Sequence, residues 1–267
     1  MENQHCESSF RSFVGPEEKY DLFSAVQFNL LTNLGLREYH SLLDIGCGSL
    51  RAGRLFIPYL LRGRYFGIEP QEWLVKEGIS KQLGQDMIDL KRPSFVFDDN
   101  FSLTRFEQKF DFLLAHSIFS HATQAQVRRC MEEAAKVMDD TSLFAATFVE
   151  GEKDYTGDKW TIWVEYTFDF IKRTALEQGL SVRRLDWPSP DLQQWILITK
   201  PGNMTFQQEM DTSVALMNAL KELDFCREKL ARLENNPVMA LALKMNRSVK
   251  WLNFYVSSIW RNIKGQK

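Results

Sequence analysis

Residues 42–56 read LLDIGCGSLRAGRLF. An apolar run carrying Asp44 ends at Ile45, breaks into Gly46-Cys47-Gly48, and resumes as a helical pattern. Glycine at the point where a strand hands over to a helix removes the Cβ that would hold the backbone away from a ligand. The stretch therefore predicts a close approach of backbone to something bound. A lone G-x-G is weak by itself, because any tight strand-to-helix turn uses glycine.

Working outward, short apolar runs alternate with helical patterns: SLLDIG at 41–46, RAGRLFIPYLL at 51–61, RYFGIE at 64–69 and QEWLVKEGISKQL at 71–83. The rhythm continues with SFVF at 94–97, FDFLLAH at 110–116, a helical 123–138, SLFAATFV at 142–149 and helical spacing around 166–178. Two last strand candidates, 181–187 and 193–200, are joined by PSPDL, too short for a crossover helix, so they predict an antiparallel hairpin. The β-α-β-α alternation predicts an α/β fold: a doubly wound, seven-stranded, mostly parallel Rossmann-like sheet. Residues 16–37 place apolar side chains at helical spacing, with Pro16 suited to a start and Gly35 to a stop, and predict a helical lead-in.

Glu69 ends the second predicted strand, 23 residues after Gly46. An acid at that place in a doubly wound sheet grips the hydroxyls of a ribose. Turn and acid together read as a site for a nucleoside-containing cofactor. The nicotinamide fingerprint needs a third glycine where this chain has Arg51, which disfavours a dinucleotide-dependent oxidoreductase.

The wording DIGCG followed by YFGIEP resembles the first two motifs of the class I S-adenosylmethionine-dependent methyltransferases, and DIGCGSLRAGRLFIPYL resembles a bacterial subset of small-molecule methyltransferases. FVFDDN at 95–100 and FDFLLAHSIFSHAT at 110–123 extend the resemblance, which spans roughly residues 15–200. It implies S-adenosyl-L-methionine as cofactor. It implies cofactor contacts from Asp44, Gly46, Cys47, Gly48 and Glu69, from Asp98 or Asp99 near the adenine with Asp98 preferred, and from His116 and Ser117 past the fourth strand. One departure is Leu50, where many members carry a further glycine; Ser49 is then expected to cap the following helix.

His121 is the candidate general base, since a neutral imidazole accepts a proton from a hydroxyl or amine near neutral pH. Helix capping or packing would explain it as well. Glu165 and Tyr166 are candidates for the acceptor's border, with Trp160, Trp163 and Phe168 read as border or core. Tyr20 and Gln27 come from the lead-in helix, as lid, cover or both. Transfer from a sulfonium is an in-line displacement that asks mainly for alignment and exclusion of water.

Of the 267 residues 44% are hydrophobic and 25% charged, the profile of a globular chain with one substantial core and an appendage. The net charge of −2 does not advertise nucleic acid as a partner, and the fourth-strand edge AHSIF lacks the Asn/Asp-Pro-Pro-aromatic sequence of enzymes that methylate exocyclic amines of bases. The acceptor expected is a small molecule, a glycan or a lipid-linked precursor. Four scattered cysteines form no zinc-like cluster with the four histidines and fit a reducing, cytoplasmic setting. No signal peptide is read, and no apolar run approaches the ~18 residues of a spanning helix.

The domain reading is a helical cover over 1–40, the cofactor-binding domain over 41–200 and a helical extension over 204–267. Residues 236–267 hold six basic and no acidic residues around an apolar stripe. Such a helix suits an anionic inner-membrane surface or a partner's groove, which the one-sided charge favours over docking on its own domain or a second copy. A non-catalytic scaffold that keeps the fold and recruits partners through its terminal helices is the rival from another class.

Overall fold

The computed structural model describes residues 10–203. The predicted extension over 204–267, with its basic helix, lies outside the described residues.

Seven strands form one sheet: β1 (Leu42–Ile45), β2 (Tyr65–Ile68), β3 (Ser94–Val96), β4 (Phe110–Ala115), β5 (Met138–Phe148), β6 (Ser181–Leu185) and β7 (Gln194–Thr199), in the order β3-β2-β1-β4-β5-β7-β6. All neighbours pair in parallel except β7, which lies antiparallel between β5 and β6. The predicted hairpin and strand count are both present. Leu42, Leu43 and Ile45 are buried, as are Leu113, Leu114 and Ala115, because helices cover both faces of the sheet. Chain order reverses between β1 and β4, so the loops leaving their carboxyl ends diverge and open a crevice there.

The helices are α1 (Tyr20–Asn33), α2 (Gly53–Tyr59), α3 (Glu72–Gly78), α4 (Gln85–Lys91), α5 (Gln124–Val137) and α6 (Phe168–Glu177). In α5 the buried Val127, Cys130, Met131, Ala134 and Val137 recur at helical spacing. Each large apolar side chain so buried contributes roughly 1.5–3 kcal/mol. The helix starts in a capping box: Thr123 Oγ1 accepts from the Gln126 N–H at 3.2 Å, and Gln126 Oε1 accepts from the Thr123 N–H at 2.9 Å. The cap is thus Thr123, and His121 is free of that duty.

α1 buries Tyr20, Phe23, Gln27, Leu30 and Leu31 on one face and is tied to the β6–β7 connection, with Trp187 Nε1 donating to the Val26 carbonyl at 3.2 Å. Three features depart from expectation. The helix after β2 stops at Gly78 and continues as a π turn over Ile79–Leu83. At Gly78 an added Cβ would lie 2.3 Å from the Ser49 carbonyl oxygen, so close packing on the glycine turn sets that position. α4 escapes the sequence pattern because it buries no residue. Ser49 does not cap α2, which begins at Gly53 with Ala52 before it; the buried Ser49 instead meets Tyr20, whose hydroxyl donates to the Ser49 carbonyl at 3.1 Å.

Candidate functional site

The carboxyl end of β1 runs directly into the glycine turn. The N–H groups of Gly46 and Cys47 both donate to the Ile68 carbonyl, at 2.8 and 3.2 Å, which pins the turn to the end of β2. Gly46 and Gly48 take φ of 72° and 53°, the left-handed region that a side chain resists. A Cβ on Gly46 would stand 2.1 Å from Ile118 Cδ1, and one on Gly48 2.7 Å from Val14 Cγ1. The backbone conformation favours glycine at both, and a side chain there would have to displace Ile118 or Val14.

Glu69 follows β2 and braces this turn. Its Oε2 accepts from the Gly48 N–H at 3.0 Å and its Oε1 from the Gln71 N–H at 2.9 Å. Burial raises its pKa, and the two N–H donors offset part of that rise. Asp44 is buried at the end of β1 and accepts from the Tyr65 hydroxyl at 2.7 Å. Burial pushes its pKa to about 6 against the pull of Tyr65 and Arg51. Burial also drives the Cys47 thiol well up, with Asp44 and Glu69 adding to it, so Cys47 lines the site as a neutral thiol and is no nucleophile.

His116, just past β4, is packed between Phe23 and Trp195, with ring centroids 5.4 and 5.2 Å away. Arg51 Nη2 donates to its Nδ1 at 2.9 Å. A guanidinium only donates, so Nδ1 is the acceptor and the imidazole proton sits on Nε2. Burial first, then the Arg51 charge, holds His116 well below the ordinary imidazole value, hence neutral. Among the described residues its buried Nε2 has no hydrogen-bond partner, and Asp191 Oδ2 is 3.8 Å off. Val14, Gln27, Asp44, Gly46, Gly48, Arg51 and His116 share one small cavity.

Ser117 holds φ of 61°, a strained value kept by its surroundings. Its N–H donates to Thr147 Oγ1 at 2.8 Å, Thr147 donates to Gln193 Oε1 at 2.8 Å, and Gln193 Nε2 donates to both Ser117 Oγ and Asp191 Oδ2 at 2.8 Å. This ring of side chains fixes the loop after β4 against the end of β7.

The structure gathers Asp44, Gly46, Cys47, Gly48 and His116 around the one cavity, with Glu69 bonded to its glycine turn. Asp98 stands apart: Oδ1 accepts from the N–H groups of Asn100 and Ser102 at 2.9 and 3.0 Å, and Oδ2 from Ser102 Oγ at 3.0 Å. Partial burial raises its pKa, but these bonds and Arg105 prevail and lower it. Its carboxylate thus serves its own loop. His121 Nδ1 lies 2.8 Å from the Thr161 carbonyl, which only accepts, so Nδ1 carries a proton and donates to it. The ring stacks on the half-exposed Trp160 at 5.6 Å. Tyr166 is a core residue, its hydroxyl donating to the Ala122 carbonyl at 2.7 Å, whereas Glu165, Trp160 and Trp163 are exposed.

Sequence reasoning missed Val14, Asp191 and Gln193, and it met Arg51 only as the residue in a glycine's place. A cation directly after a glycine turn was the one available signal; the others reach the site from remote stretches of chain.

No protein-family model matches the sequence, and no curated protein does. Among solved structures the chain is similar to magnesium protoporphyrin IX methyltransferase (ChlM) from Synechocystis PCC 6803 with bound SAM, at 16% identity and a TM-score of 0.50 over 70% of this chain and 80% of that one. It is also similar to an S-adenosylmethionine-dependent methyltransferase from Clostridium acetobutylicum ATCC 824 (11%, TM-score 0.52, covering 72% and 96%). A third is the glycopeptide N-methyltransferase MtfA (10%, TM-score 0.53, covering 67% and 90%). The chain has the class I S-adenosylmethionine-dependent methyltransferase fold.

Proposed function

We propose that the protein is an S-adenosyl-L-methionine-dependent methyltransferase acting on a small-molecule, glycan or lipid-linked acceptor. The observation that carries the reading is the Gly46–Gly48 turn at the switch point of the sheet, braced by the Glu69 carboxylate through the Gly48 N–H. The residues fit such a cofactor: a glycine cradle too tight for any Cβ, an acid at the end of β2 with lone pairs left for ribose hydroxyls, and an orphan buried donor on His116.

When bound, the cofactor supplies a methyl group on a sulfonium, which leaves as a neutral thioether on transfer. In this reading Glu69 holds the ribose, and Gly46 and Gly48 admit the amino-acid end. Asp98 contributes by ordering loop 98–102. His121, with its proton fixed on Nδ1, takes the acceptor's proton at Nε2 as the new bond forms. Phe23, Trp195 and the Ser117–Thr147–Gln193 ring exclude water and hold the loop after β4 in place.

Calorimetric titration of the full chain with S-adenosylmethionine, S-adenosylhomocysteine and NAD tests the reading. The two sulfur compounds bind and NAD does not. Absence of binding by both sulfur compounds would sink it and leave the scaffold.

A further inference from the structure

Resting on that reading, we propose that Arg51 and His116 together form the receptor for the carboxylate of the cofactor's amino-acid end.

Arg51 carries a permanent charge into a partly buried position, where desolvation works against it. Its direct partners are the Val14 carbonyl, which accepts from Nη1, the His116 imidazole and the face of Phe23, 4.8 Å from the guanidinium carbon. None of these is an anion. Asp44 and Asp191 are near enough to be felt by the charge, but Asp44 accepts from Tyr65, and Asp191 accepts from Ser189 and Gln193. A guanidinium has five N–H donors in a planar fork suited to a carboxylate, and a single peptide carbonyl is a weak substitute for one.

His116 supplies the second, independent observation. Its side chain is 3% exposed, its Nδ1 is occupied by Arg51, and its Nε2–H has no partner among the described residues. A buried donor left unmade costs about 1–3 kcal/mol, so a position that keeps one beside a cavity is suited to a ligand's acceptor atom. Arg51 also fixes which nitrogen carries the proton, and so makes Nε2 of His116 a donor. Both side chains line it together with Gly46 and Gly48. The amino-acid end of the cofactor is a zwitterion. Its carboxylate suits the Arg51–His116 pair, and its ammonium suits the acids Asp44 and Asp191, whose charges Arg51 feels.

The experiment compares S-adenosylhomocysteine with its decarboxylated analogue, 5′-(3-aminopropylthio)-5′-deoxyadenosine, which keeps nucleoside, sulfur and ammonium and lacks only the carboxylate. Titrated calorimetrically into the full chain, the first is expected to bind about 10–100-fold more tightly, as charge-assisted hydrogen bonds from two donors imply. In Arg51→Gln that ratio falls to within about threefold, because the first ligand weakens and the analogue does not. Arg51→Lys, which keeps the charge without the fork, lies between. Equal binding of the two ligands by the unaltered protein overturns the proposal and needs no variant. Equal weakening of both in Arg51→Gln overturns it too, assigning Arg51 to the fold. If neither ligand binds, the cofactor reading itself fails and the proposal falls with it.

Discussion

Glu69 Oε2 and the Gly48 N–H are joined by a 3.0 Å hydrogen bond that spans the carboxyl ends of the adjacent strands β1 and β2. The same carboxylate accepts from Gln71, so one side chain sets the shape of the glycine turn and the start of the loop beyond β2. In the proposed reading a residue so placed affects both stability and ligand affinity, and each effect has its own measurement. Glu69→Ala leaves two N–H donors without their acceptor and is expected to cost about 1–3 kcal/mol in urea unfolding. It also weakens S-adenosylhomocysteine by about 10–100-fold. Glu69→Gln keeps one oxygen but turns an NH2 toward one of the two donors, so it recovers only part of either loss. Full affinity in both variants would remove Glu69 from the site.

Asp44 makes a pH prediction. Its ordinary value is 3.8 and its folded value about 6, because burial opposes ionisation. An acid with a raised folded pKa binds its proton more tightly when folded. Its favourable contribution is present below the unfolded value and is lost as pH rises through the folded one. Between about pH 4 and pH 6.5 this withdraws roughly 2 kcal/mol from the folded state. Asp44→Asn, which still accepts from Tyr65, is expected to flatten that slope relative to the unaltered protein in urea titrations at the two pH values. Parallel slopes would mean that Asp44 ionises freely in the fold.

The glycine turn and its acid were legible in the sequence because each rests on neighbours along the chain: an apolar run, two glycines that must take positive φ, and an acid one strand on. Seven strands were legible for the same reason, since buried parallel strands read as apolar runs. Arg51's environment was not. Val14, His116 and Asp191 approach it from far along the chain, and their meeting depends on the strand order and on α1 crossing to the β6–β7 connection. Between Asp98 and Asp99 the sequence left one as adenine contact and the other as loop residue or cap, and Asn100 and Ser102, two and four residues on, are the local partners that the Asp98 carboxylate takes. α4 was missed because a helix that buries nothing leaves no apolar period to read.

His121 separates catalysis from cofactor binding. Its ring is oriented by the Thr161 carbonyl and by Trp160. His121→Phe keeps a ring to stack and removes the proton acceptor. Once an acceptor is in hand, this variant is expected to lose about 10²–10⁴-fold in kcat while its affinity for S-adenosylhomocysteine stays unchanged. Undiminished turnover would show that the acceptor's proton leaves by another route.

Leu50 offers a test of why this turn lacks a further glycine. It holds φ of 59°, where a leucine is strained by about 1–3 kcal/mol, yet it is fully buried. Its side chain packs where Gly53 and Gly78 leave room: a Cβ on either would come within 3.1 Å of a Leu50 atom. Deleting a buried leucine costs about 2–5 kcal/mol, more than the strain it relieves, so both Leu50→Ala and Leu50→Gly are expected to destabilise. Their order is the informative part. In a helix glycine is worse than alanine by roughly 0.5–1 kcal/mol, but at positive φ alanine keeps the strain that glycine sheds. Leu50→Gly is therefore expected to be at least as stable as Leu50→Ala in chemical denaturation. The reverse order would mean that the backbone at Leu50 relaxes out of the left-handed region once the side chain is gone, and that leucine's packing, rather than the path of the turn, holds it there.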